Sequence, residues 1–300
     1  MPSRVLVVSP VRNEAAHIER LVRAVGAQTC PPACWIVVDD GSSDETLALL
    51  RKLERSVPFL RVHARAPEGG AVPDRLATAA ESRAFNEGLL VAGEGEGEGE
   101  GEFTHIAKLD GDIELPPDYF ERLLQRFDAD PSLGLACGDL VEPCGGHFSR
   151  LTIPQHHVHG ALKCYTRPCF ESIGGVHERL GWDTIDETYA RMLGFRTHSF
   201  PEIVAIHHRP YASADGTLRG RARHGACAYI AHFGPLWVTL RSLKIALQPP
   251  RAIGALAFLY GYVRAAVGHT EQFPDPAFRR YVRRELRGRM LDALRHPAGR

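Results

Sequence analysis

The residue pattern with the clearest chemical meaning is a pair of aspartates separated by one glycine. Asp110 and Asp112 follow the apolar run at residues 103–109, which the sequence predicts to be a buried strand. Two carboxylates at such a position are costly unless a cation or hydrogen-bond donors neutralise them. A divalent metal ion that bridges them to a diphosphate meets this need, because Mg²⁺ and Mn²⁺ favour oxygen ligands. The alternative is a turn in which both aspartates cap backbone amides.

Polar residues also follow the two earlier strands that the sequence predicts. The first strand leads into residues 10–14 (PVRNE), and the second, at 35–38, leads into Asp39 and Asp40. Because an open α/β sheet presents its ligand crevice at the carboxyl ends of its strands, we expect these groups to meet the aspartate pair. Helix capping accounts for part of residues 42–44 but not for two adjacent aspartates. Their carboxylates are suited to accept the imide or amino hydrogens of a nucleobase.

The elements that position these residues alternate between short β-branched runs and amphipathic helices over the first 115 residues. The strand predicted at residues 4–9 is followed by a helix at 15–25 and, after the second strand, by another at 44–53. The apolar residues that share one face of the first helix are Ile18, Leu21, Val22 and Val25. This order is typical of βαβ units, so we predict an α/β fold with a mostly parallel sheet.

Composition narrows the class of protein. The chain has 300 residues, of which 44% are hydrophobic, and its 36 basic residues balance 36 acidic ones, so charge gives no reason to expect nucleic acid as a partner. Seven cysteines without a CxxC pair argue against a zinc site or a disulfide framework. The first residues do not resemble a signal peptide. We therefore expect a cytoplasmic protein.

A low-complexity acidic tract interrupts the first half of the chain. Residues 93–102 read GEGEGEGEGE, which combines the entropy cost of glycine with self-repelling charge and offers nothing to bury. We expect a disordered surface loop that tolerates deletion. A calcium site is the less favoured reading, because regular Glu-Gly alternation lacks the mixed ligands and fixed turn of a calcium loop.

Four motifs in order resemble the nucleotide-binding half of the family 2 glycosyltransferases. They are PVRNE at 10–14, VDDGSSDET at 38–46, RAFNEGL at 83–89 and KLDGD at 108–112. The resemblance extends over about residues 4–232. It implies a GT-A type fold, inversion at the anomeric carbon and a nucleotide diphosphate sugar as donor.

The resemblance also assigns roles to the motif residues. It implies a nucleotide pocket lined by Pro10, Arg12 and Glu14, a base contacted by Asp39 and Asp40, Arg83 near the diphosphate, and a metal ion and ribose held by Asp110 and Asp112.

The acceptor half shows similar features in residues 160–170, 173–176 and 181–187. Inverting transfer needs a carboxylate that takes the proton of the acceptor hydroxyl. Family enzymes usually carry Glu-Asp at the position where this chain has Trp182 and Asp183. We take Asp183 as the base, with Asp186 as the close rival.

A capping box over residues 184–187 gives Glu187 a structural role. It would leave Asp183 just outside the helix and facing the sugar.

His207 and His208 follow a strand-like segment at residues 203–206. By resemblance, this is where related enzymes supply a histidine to the metal. Neutral imidazole is a competent ligand for Mn²⁺ and a less characteristic one for Mg²⁺. Either of these two ions is the expected cofactor, and the alternative is that both histidines are polar surface residues.

Two features bear on what the enzyme makes. Processive polysaccharide synthases of the family carry a Gln-x-x-Arg-Trp motif and long membrane spans. This sequence shows neither feature, and residues 219–224 read RGRARH. We therefore expect the addition of one sugar to a glycan or lipid-linked acceptor. Two alternatives remain open: a sugar nucleotidyltransferase, which should show a Gly-rich, lysine-bearing loop after its first strand, and a catalytically inactive nucleotide-binding assembly partner.

The domain prediction is a catalytic domain at residues 1–232, with halves at about 1–115 and 116–232, and a helical region at 233–300. Within the helical region, residues 252–267 are apolar but fall short of the roughly 20 residues that span a bilayer. Residues 279–295 carry seven arginines. One hypothesis is peripheral contact with an anionic membrane, near a lipid-linked acceptor. The other is that the apolar stretch packs on the catalytic domain while the arginines are solvated.

Overall fold

A computed structural model describes residues 3–66, 79–94, 102–144, 146–150, 153–209, 216–247 and 250–295. The chain divides into two compact units, Met1–Pro210 and Tyr211–Arg300. All the residues predicted to form the site belong to the first unit.

The first unit is built on one nine-stranded sheet. Its strands are β1 (Val5–Val11), β2 (Cys34–Asp39), β3 (Leu60–Ala64), β4 (His105–Leu109), β5 (Ile113–Glu114), β6 (Leu133–Cys144), β7 (His147–Arg150), β8 (Leu162–Thr166) and β9 (Arg196–His207). Its α-helices are α1 (Ile18–Gly26), α2 (Thr46–Leu53), α3 (Ala80–Glu94), α4 (Tyr119–Ala129), α5 (Arg167–Ser172) and α6 (Trp182–Met192).

The strand order is β3-β2-β1-β4-β8-β6-β9-β5, with β7 paired to β6. The four strands β3, β2, β1 and β4 run parallel, and β6 pairs with β9 in parallel. The antiparallel strand β8 lies between β4 and β6. This arrangement confirms the predicted α/β class and brings the carboxyl ends of β1, β2 and β4 to one edge of the sheet.

The hydrophobic pattern explains why these segments form the centre of the unit. Every residue of β2 is buried, as expected for a strand covered on both faces. The helix α1 buries the four apolar residues predicted to share its face: Ile18, Leu21, Val22 and Val25. The strands expected at residues 4–9, 35–38 and 103–109 are found as β1, β2 and β4.

The glycine of the RAFNEGL motif allows α3 to lie directly on the sheet. A Cβ atom at Gly88 would lie 2.5 Å from Val8 Cγ1 and 2.9 Å from Val38 Cγ2. We therefore expect Gly88→Ala to lower the free energy of unfolding by about 1–3 kcal/mol in a urea titration, because added bulk in a packed core forces its neighbours to shift.

Gly26→Ala is the matched control for this measurement. A Cβ atom there would meet only Val57 Cγ2, at an ordinary 3.7 Å. Equal stability of wild type and Gly88→Ala would contradict the close packing of α3 on β1 and β2.

The second unit consists of the helices α7 (Thr217–Ile230), α8 (Pro235–Ala246), α9 (Arg251–Val267) and α10 (Pro276–Arg295). Part of its core is formed by Ala228, Val238, Ile245, Ala255 and Phe258. Helices α7 and α9 approach each other closely where Gly225 faces the backbone of Phe258 and Gly261 faces that of Ala222. The residues of α7, which the sequence analysis assigned to the catalytic domain at 1–232, thus pack with the helical region.

The acidic tract at residues 93–102 is only partly described by the structure. Helix α3 continues to Glu94, so the first two residues of the acidic tract are helical rather than part of a loop, because they extend a helix already packed on the sheet. Residues 95–101 of that tract lie outside the described residues.

Among the helices that the structure describes, none is both long and apolar enough to cross a bilayer.

Candidate active site

The predicted site residues are carried by strand ends and by the turns that follow them. Asp39 is the last residue of β2, Asp110 follows β4 directly, and His207 is the last residue of β9. Strand β5 pairs with the end of β9, with Ile113 opposite His207, which places the turn containing Asp112 beside that histidine.

Asp39 presents a buried acceptor atom. Its side chain is buried, and its Oδ2 accepts a hydrogen bond of 3.2 Å from the backbone N–H of Ser42. Its Oδ1 has no hydrogen-bond partner in the described part of the chain. A buried oxygen without a donor is costly, so an N–H group of a ligand would stabilise this carboxylate.

Asp40 forms an ion pair and hydrogen bonds with other residues of the protein. Its Oδ1 accepts a hydrogen bond from Arg65 Nη1, and Arg65 Nε donates to Glu87 Oε2 at 2.6 Å. Its main-chain oxygen accepts a hydrogen bond of 2.8 Å from Arg12 Nη1. The structure therefore places Arg12 beside Asp40, and the carboxylate of Asp40 in an ion-pair network that reaches α3.

The segment PVRNE crosses from β1 into the site. Pro10 lies within β1 opposite Val38 of β2. Glu14 is buried, and its Oε2 accepts a hydrogen bond of 2.5 Å from Arg209 Nη2. Burial raises the pKa of Glu14 to about 7, an effect that Arg209 partly offsets and Asp112 reinforces.

A buried lysine holds the first aspartate of the DxD motif. Lys108 is 1% exposed, and its Nζ donates to Asp110 Oδ1, to the main-chain oxygen of Gly160 at 3.0 Å and to Glu81 Oε1 at 2.5 Å. Burial of the carboxyl group and the charge of Glu81 raise the pKa of Asp110 to about 7, although Lys108 opposes this. Lys108 thus joins the DxD segment to α3 and to the segment before β8.

Arg83 lies in the first turn of α3, the helix that also carries Glu81. Its backbone N–H donates to the main-chain oxygen of Ala79 at 3.0 Å. Its assignment to the diphosphate stays a prediction.

Asp112, His207 and Glu142 form a buried chain of contacts. The Oδ1 of Asp112 lies 3.3 Å from His207 Nε2, and His207 Nδ1 lies 2.7 Å from Glu142 Oε1. Burial would lower the pKa of His207, but the two carboxylates raise it to about 10. Burial would raise the pKa of Asp112, but His207 and Arg209 lower it overall. Glu142 therefore fixes the imidazole so that Nε2 faces Asp112.

The neighbouring histidine makes different contacts. His208 Nε2 lies 2.7 Å from Glu114 Oε2, and its ring stacks with that of His17 at a centroid distance of 6.1 Å. The backbone N–H of His208 donates to the main-chain oxygen of Asp112 at 3.0 Å, but its ring is paired with Glu114. Of the two histidines proposed from the sequence as metal ligands, only His207 has its ring beside the Asp112 carboxylate.

Arg209 is a second cation at the same point. Its Nε lies 3.5 Å from Asp112 Oδ2 while its Nη2 holds Glu14. It joins the segment after β1 to the DxD turn. It also leaves a guanidinium beside the carboxylates, where a diphosphate could be neutralised.

The donor set at Asp112 and His207 fits a divalent metal ion. Among the described residues there is no cluster of three or more His, Cys, Asp or Glu side chains that would hold a metal by itself. Mg²⁺ is usually held by one or two carboxylates together with substrate phosphates, so such a cluster is not required. Adjacent ligands at about 2.1 Å from one octahedral ion lie about 3 Å apart. The 3.3 Å between Asp112 Oδ1 and His207 Nε2 is close to this value. A bound ion would replace the proton that the raised pKa of His207 keeps between these two atoms, so metal binding would release a proton.

The acceptor-side carboxylate of Asp183 is partly exposed. Asp183 is the second residue of α6, and its main-chain oxygen accepts a hydrogen bond of 2.6 Å from Lys163 Nζ. A Cβ atom at Gly160 would lie 3.7 Å from its Oδ2, so this glycine leaves the side chain uncovered. The carboxylate accepts no hydrogen bond from the residues that the structure describes.

Asp186, the rival base, is fully buried. Its oxygens accept hydrogen bonds from Lys163 Nζ at 2.6 and 2.9 Å, from Tyr165 Oη and from the backbone N–H of Glu187 at 2.6 Å. Burial raises the pKa of Asp186 to about 6, although Lys163 opposes this. A carboxylate whose oxygens are engaged by three donors and shielded from solvent is suited to hold β8 against α6.

The predicted capping box at residues 184–187 is wrong. Helix α6 begins at Trp182, after Gly181 with φ of 85°, and has no side-chain cap, so Asp183 lies in its first turn rather than outside it. The structural role of Glu187 has a different basis. Its Oε2 accepts a hydrogen bond of 3.0 Å from the backbone N–H of Val158 and lies 3.1 Å from His157 Nδ1.

Trp182, which stands where family enzymes usually carry an acidic residue, contacts two buried lysines. The Nζ atoms of Lys108 and Lys163 lie 5.4 and 5.2 Å from the centroid of its ring. The indole face stabilises cations without adding a charge. Both lysines already have carboxylate partners in Asp110 and Asp186, so a further carboxylate is not needed for neutrality.

Comparison with known proteins identifies the family of this chain. The model of the family described as Glycosyl transferase family 2 matches residues 6–166, which include all four motifs. The chain belongs to glycosyl transferase family 2. The resemblance stated from the motifs is therefore confirmed, and the protein is a glycosyltransferase. A search of curated proteins gives no significant match.

Solved structures show that this glycosyltransferase has the GT-A type fold expected from the sequence. The mannosyltransferase PcManGT from Pyrobaculum calidifontis, in complex with GDP-Man and Mn²⁺, is 19% identical, with a TM-score of 0.55 over 98% of this chain and 81% of that one. S. aureus TarS 1–349 in complex with UDP-GlcNAc is 14% identical, with a TM-score of 0.54 over 91% of this chain and 93% of that one.

Proposed function

We propose that this glycosyltransferase is an inverting, metal-dependent enzyme that moves one sugar from a nucleotide diphosphate donor to an acceptor hydroxyl. The observation that carries the proposal is the buried contact of Asp112 with His207, whose imidazole is held in place by Glu142. This arrangement presents one oxygen and one nitrogen ligand at the carboxyl edge of the sheet, where α/β proteins bind ligands.

The donor site is assembled from the strand ends. Asp39 accepts an N–H group of the base through its unpartnered Oδ1. Asp110 contacts the ribose, while Arg83 and Arg209 neutralise the diphosphate. Pro10, Arg12, Glu14 and Asp40 line the nucleotide pocket.

Asp112 and His207 would hold Mn²⁺ or Mg²⁺, with His208 left to its pairing with Glu114. A bound divalent ion supplies a positive charge that stabilises the departing nucleoside diphosphate. The complex of PcManGT with Mn²⁺ supports the use of a divalent ion within this fold.

Asp183 acts as the general base. It accepts the proton of the acceptor hydroxyl while the oxygen attacks the anomeric carbon from the face opposite the diphosphate. Its carboxylate is uncovered beside Gly160, whereas that of Asp186 is buried against Lys163 and Tyr165. The acceptor is a glycan or lipid-linked molecule on the cytoplasmic side, and a single sugar is added.

A donor screen tests this proposal. Purified enzyme is incubated with a panel of UDP- and GDP-linked sugars, with Mn²⁺ or Mg²⁺, and release of nucleoside diphosphate is measured with and without candidate acceptors. We expect release that stops when EDTA removes the metal, and a product whose anomeric configuration in NMR spectra is opposite to that of the donor. A product that keeps the configuration of the donor would contradict the inverting mechanism. Conversion of the donor and added pyrophosphate into nucleoside triphosphate and sugar 1-phosphate would indicate a nucleotidyltransferase instead.

A further inference from the structure

Helices α8 and α9 of the second unit each expose an apolar face. The exposed residues of α8 and its C-terminal neighbour are Leu236, Leu240, Leu243 and Leu247, between 47% and 83% exposed. Those of α9 are Ile253, Leu256, Tyr260, Val263 and Val267, between 54% and 73% exposed. On each helix these residues recur every three or four positions, so they form one continuous face.

The core of the unit does not need these residues. Each helix already buries its opposite face, through Val238 and Ile245 in α8 and through Ala255 and Phe258 in α9. Scattered exposed leucines are normal on a globular protein, but a row of four or five exposed apolar residues along one helix face indicates an interaction surface.

The charge around these faces has one sign. Residues 216–270 contain seven lysines and arginines and no aspartate or glutamate. The exposed residues Lys244 and Arg264 lie beside the two apolar faces. Long basic side chains next to an apolar face can reach a phosphate layer while the apolar residues enter the acyl region below it.

We propose that the exposed faces of α8 and α9 form a docking surface for an anionic lipid bilayer, on which both helices lie in the plane of the interface. A second copy of the chain would set cations against cations across a symmetric contact, which disfavours self-association through this surface. The inference concerns the second unit and does not depend on the proposed function.

Helix α10 contributes charge rather than apolar area to this docking surface. Its apolar residues Phe278, Val282 and Leu286 are buried, so they are not available to enter a membrane. Its arginines add positive charge that attracts an anionic surface, while insertion depends on α8 and α9.

Co-sedimentation of the full chain with vesicles tests the docking surface. Wild type is compared on vesicles of phosphatidylcholine alone and of phosphatidylcholine mixed with phosphatidylglycerol, at low and high salt. We expect binding that requires the anionic lipid and decreases with salt.

The double variant Leu243→Glu and Leu256→Glu should bind anionic vesicles at least about tenfold more weakly than wild type. Each substitution places a negative charge where the proposal buries an apolar side chain in the bilayer. Lys244→Ala should lower binding about fivefold, since one basic residue contributes about 1 kcal/mol at an anionic surface.

Leu90→Glu provides the matched control, because Leu90 is also an exposed leucine, at 69%, but lies on α3 in the first unit. It should bind vesicles as wild type does, and thermal unfolding should show that every variant is folded. The proposal is overturned if wild type stays in the supernatant with anionic vesicles at low salt, or if the double variant sediments like wild type. It is also overturned if sedimentation velocity shows a dimer that the double variant dissociates while vesicle binding is unchanged.

Discussion

Asp183→Asn is expected to lower the rate of sugar transfer by about 10²–10⁴-fold, the usual contribution of a general base. Binding of the nucleotide sugar should be unchanged, because the carboxylate acts only as the acceptor attacks. Stability should also change little, since the Asp183 side chain is partly exposed and its helix contact runs through the main-chain oxygen that Lys163 holds. Single-turnover transfer and calorimetric titration of the donor measure the two effects separately.

Asp186→Asn is the control that distinguishes the two carboxylates. It removes the partner of the buried Lys163, and breaking a buried ion pair of this kind destabilises a protein by about 3–5 kcal/mol. We expect a clear decrease in Tm as the main effect. If Asp186→Asn instead remains as stable as wild type and loses transfer, while Asp183→Asn stays active, then the base is Asp186.

Asp112→Asn is expected to remove metal-dependent catalysis and to lower turnover by about 10²–10³-fold. Loss of one group that stabilises charge in the transition state usually has an effect of this size. The variant keeps the shape of the side chain but loses the negative charge that faces His207 and Arg209. Metal titration monitored by donor hydrolysis measures the loss.

The two adjacent histidines provide a matched pair for the same site. His207→Ala should weaken the response to Mn²⁺, whereas His208→Ala should not, because His208 faces Glu114. Glu142→Gln should weaken metal affinity about 10–100-fold, as expected for a residue that orients a ligand. Equal metal responses in the two alanine variants would contradict the assignment of His207.

The part of the site that could be predicted from the sequence follows strand ends. The positions of Asp39, Asp110 and Asp112 can be predicted because a buried strand followed by carboxylates is unusual, and because parallel strands place their carboxyl ends at one edge. Their roles toward the donor and the metal stay predictions. The helical face of α1 was equally clear, since its spacing of apolar residues matches only a helix.

The partners of these residues could not be predicted from spacing. Glu142 reaches His207 only because β6 pairs with β9, a contact between residues 65 apart in the sequence. Arg209 reaches Glu14 across 195 residues. Buried lysines such as Lys108 are also hard to foresee, because lysine is almost never fully buried unless it is paired.

The start of α6 differs from the one that the sequence predicts, for a local reason. The Thr184-x-x-Glu187 pattern fits a capping box, but the left-handed Gly181 ends the preceding turn and lets the helix begin two residues earlier than Thr184. Glu187 is instead held by the backbone of Val158, a long-range partner that spacing within the helix does not reveal.

We propose that a divalent ion held by Asp112 and His207 binds together with the nucleoside diphosphate. Calorimetric titration of the wild-type enzyme with UDP and with GDP, in the presence of Mn²⁺ and after treatment with EDTA, tests it most directly. For the nucleotide that the enzyme prefers, we predict that removal of Mn²⁺ weakens binding about 5–150-fold, the usual range for coupled ligands. Binding of that nucleotide with the same affinity in the presence and absence of Mn²⁺ would contradict a metal ion shared by Asp112, His207 and the diphosphate.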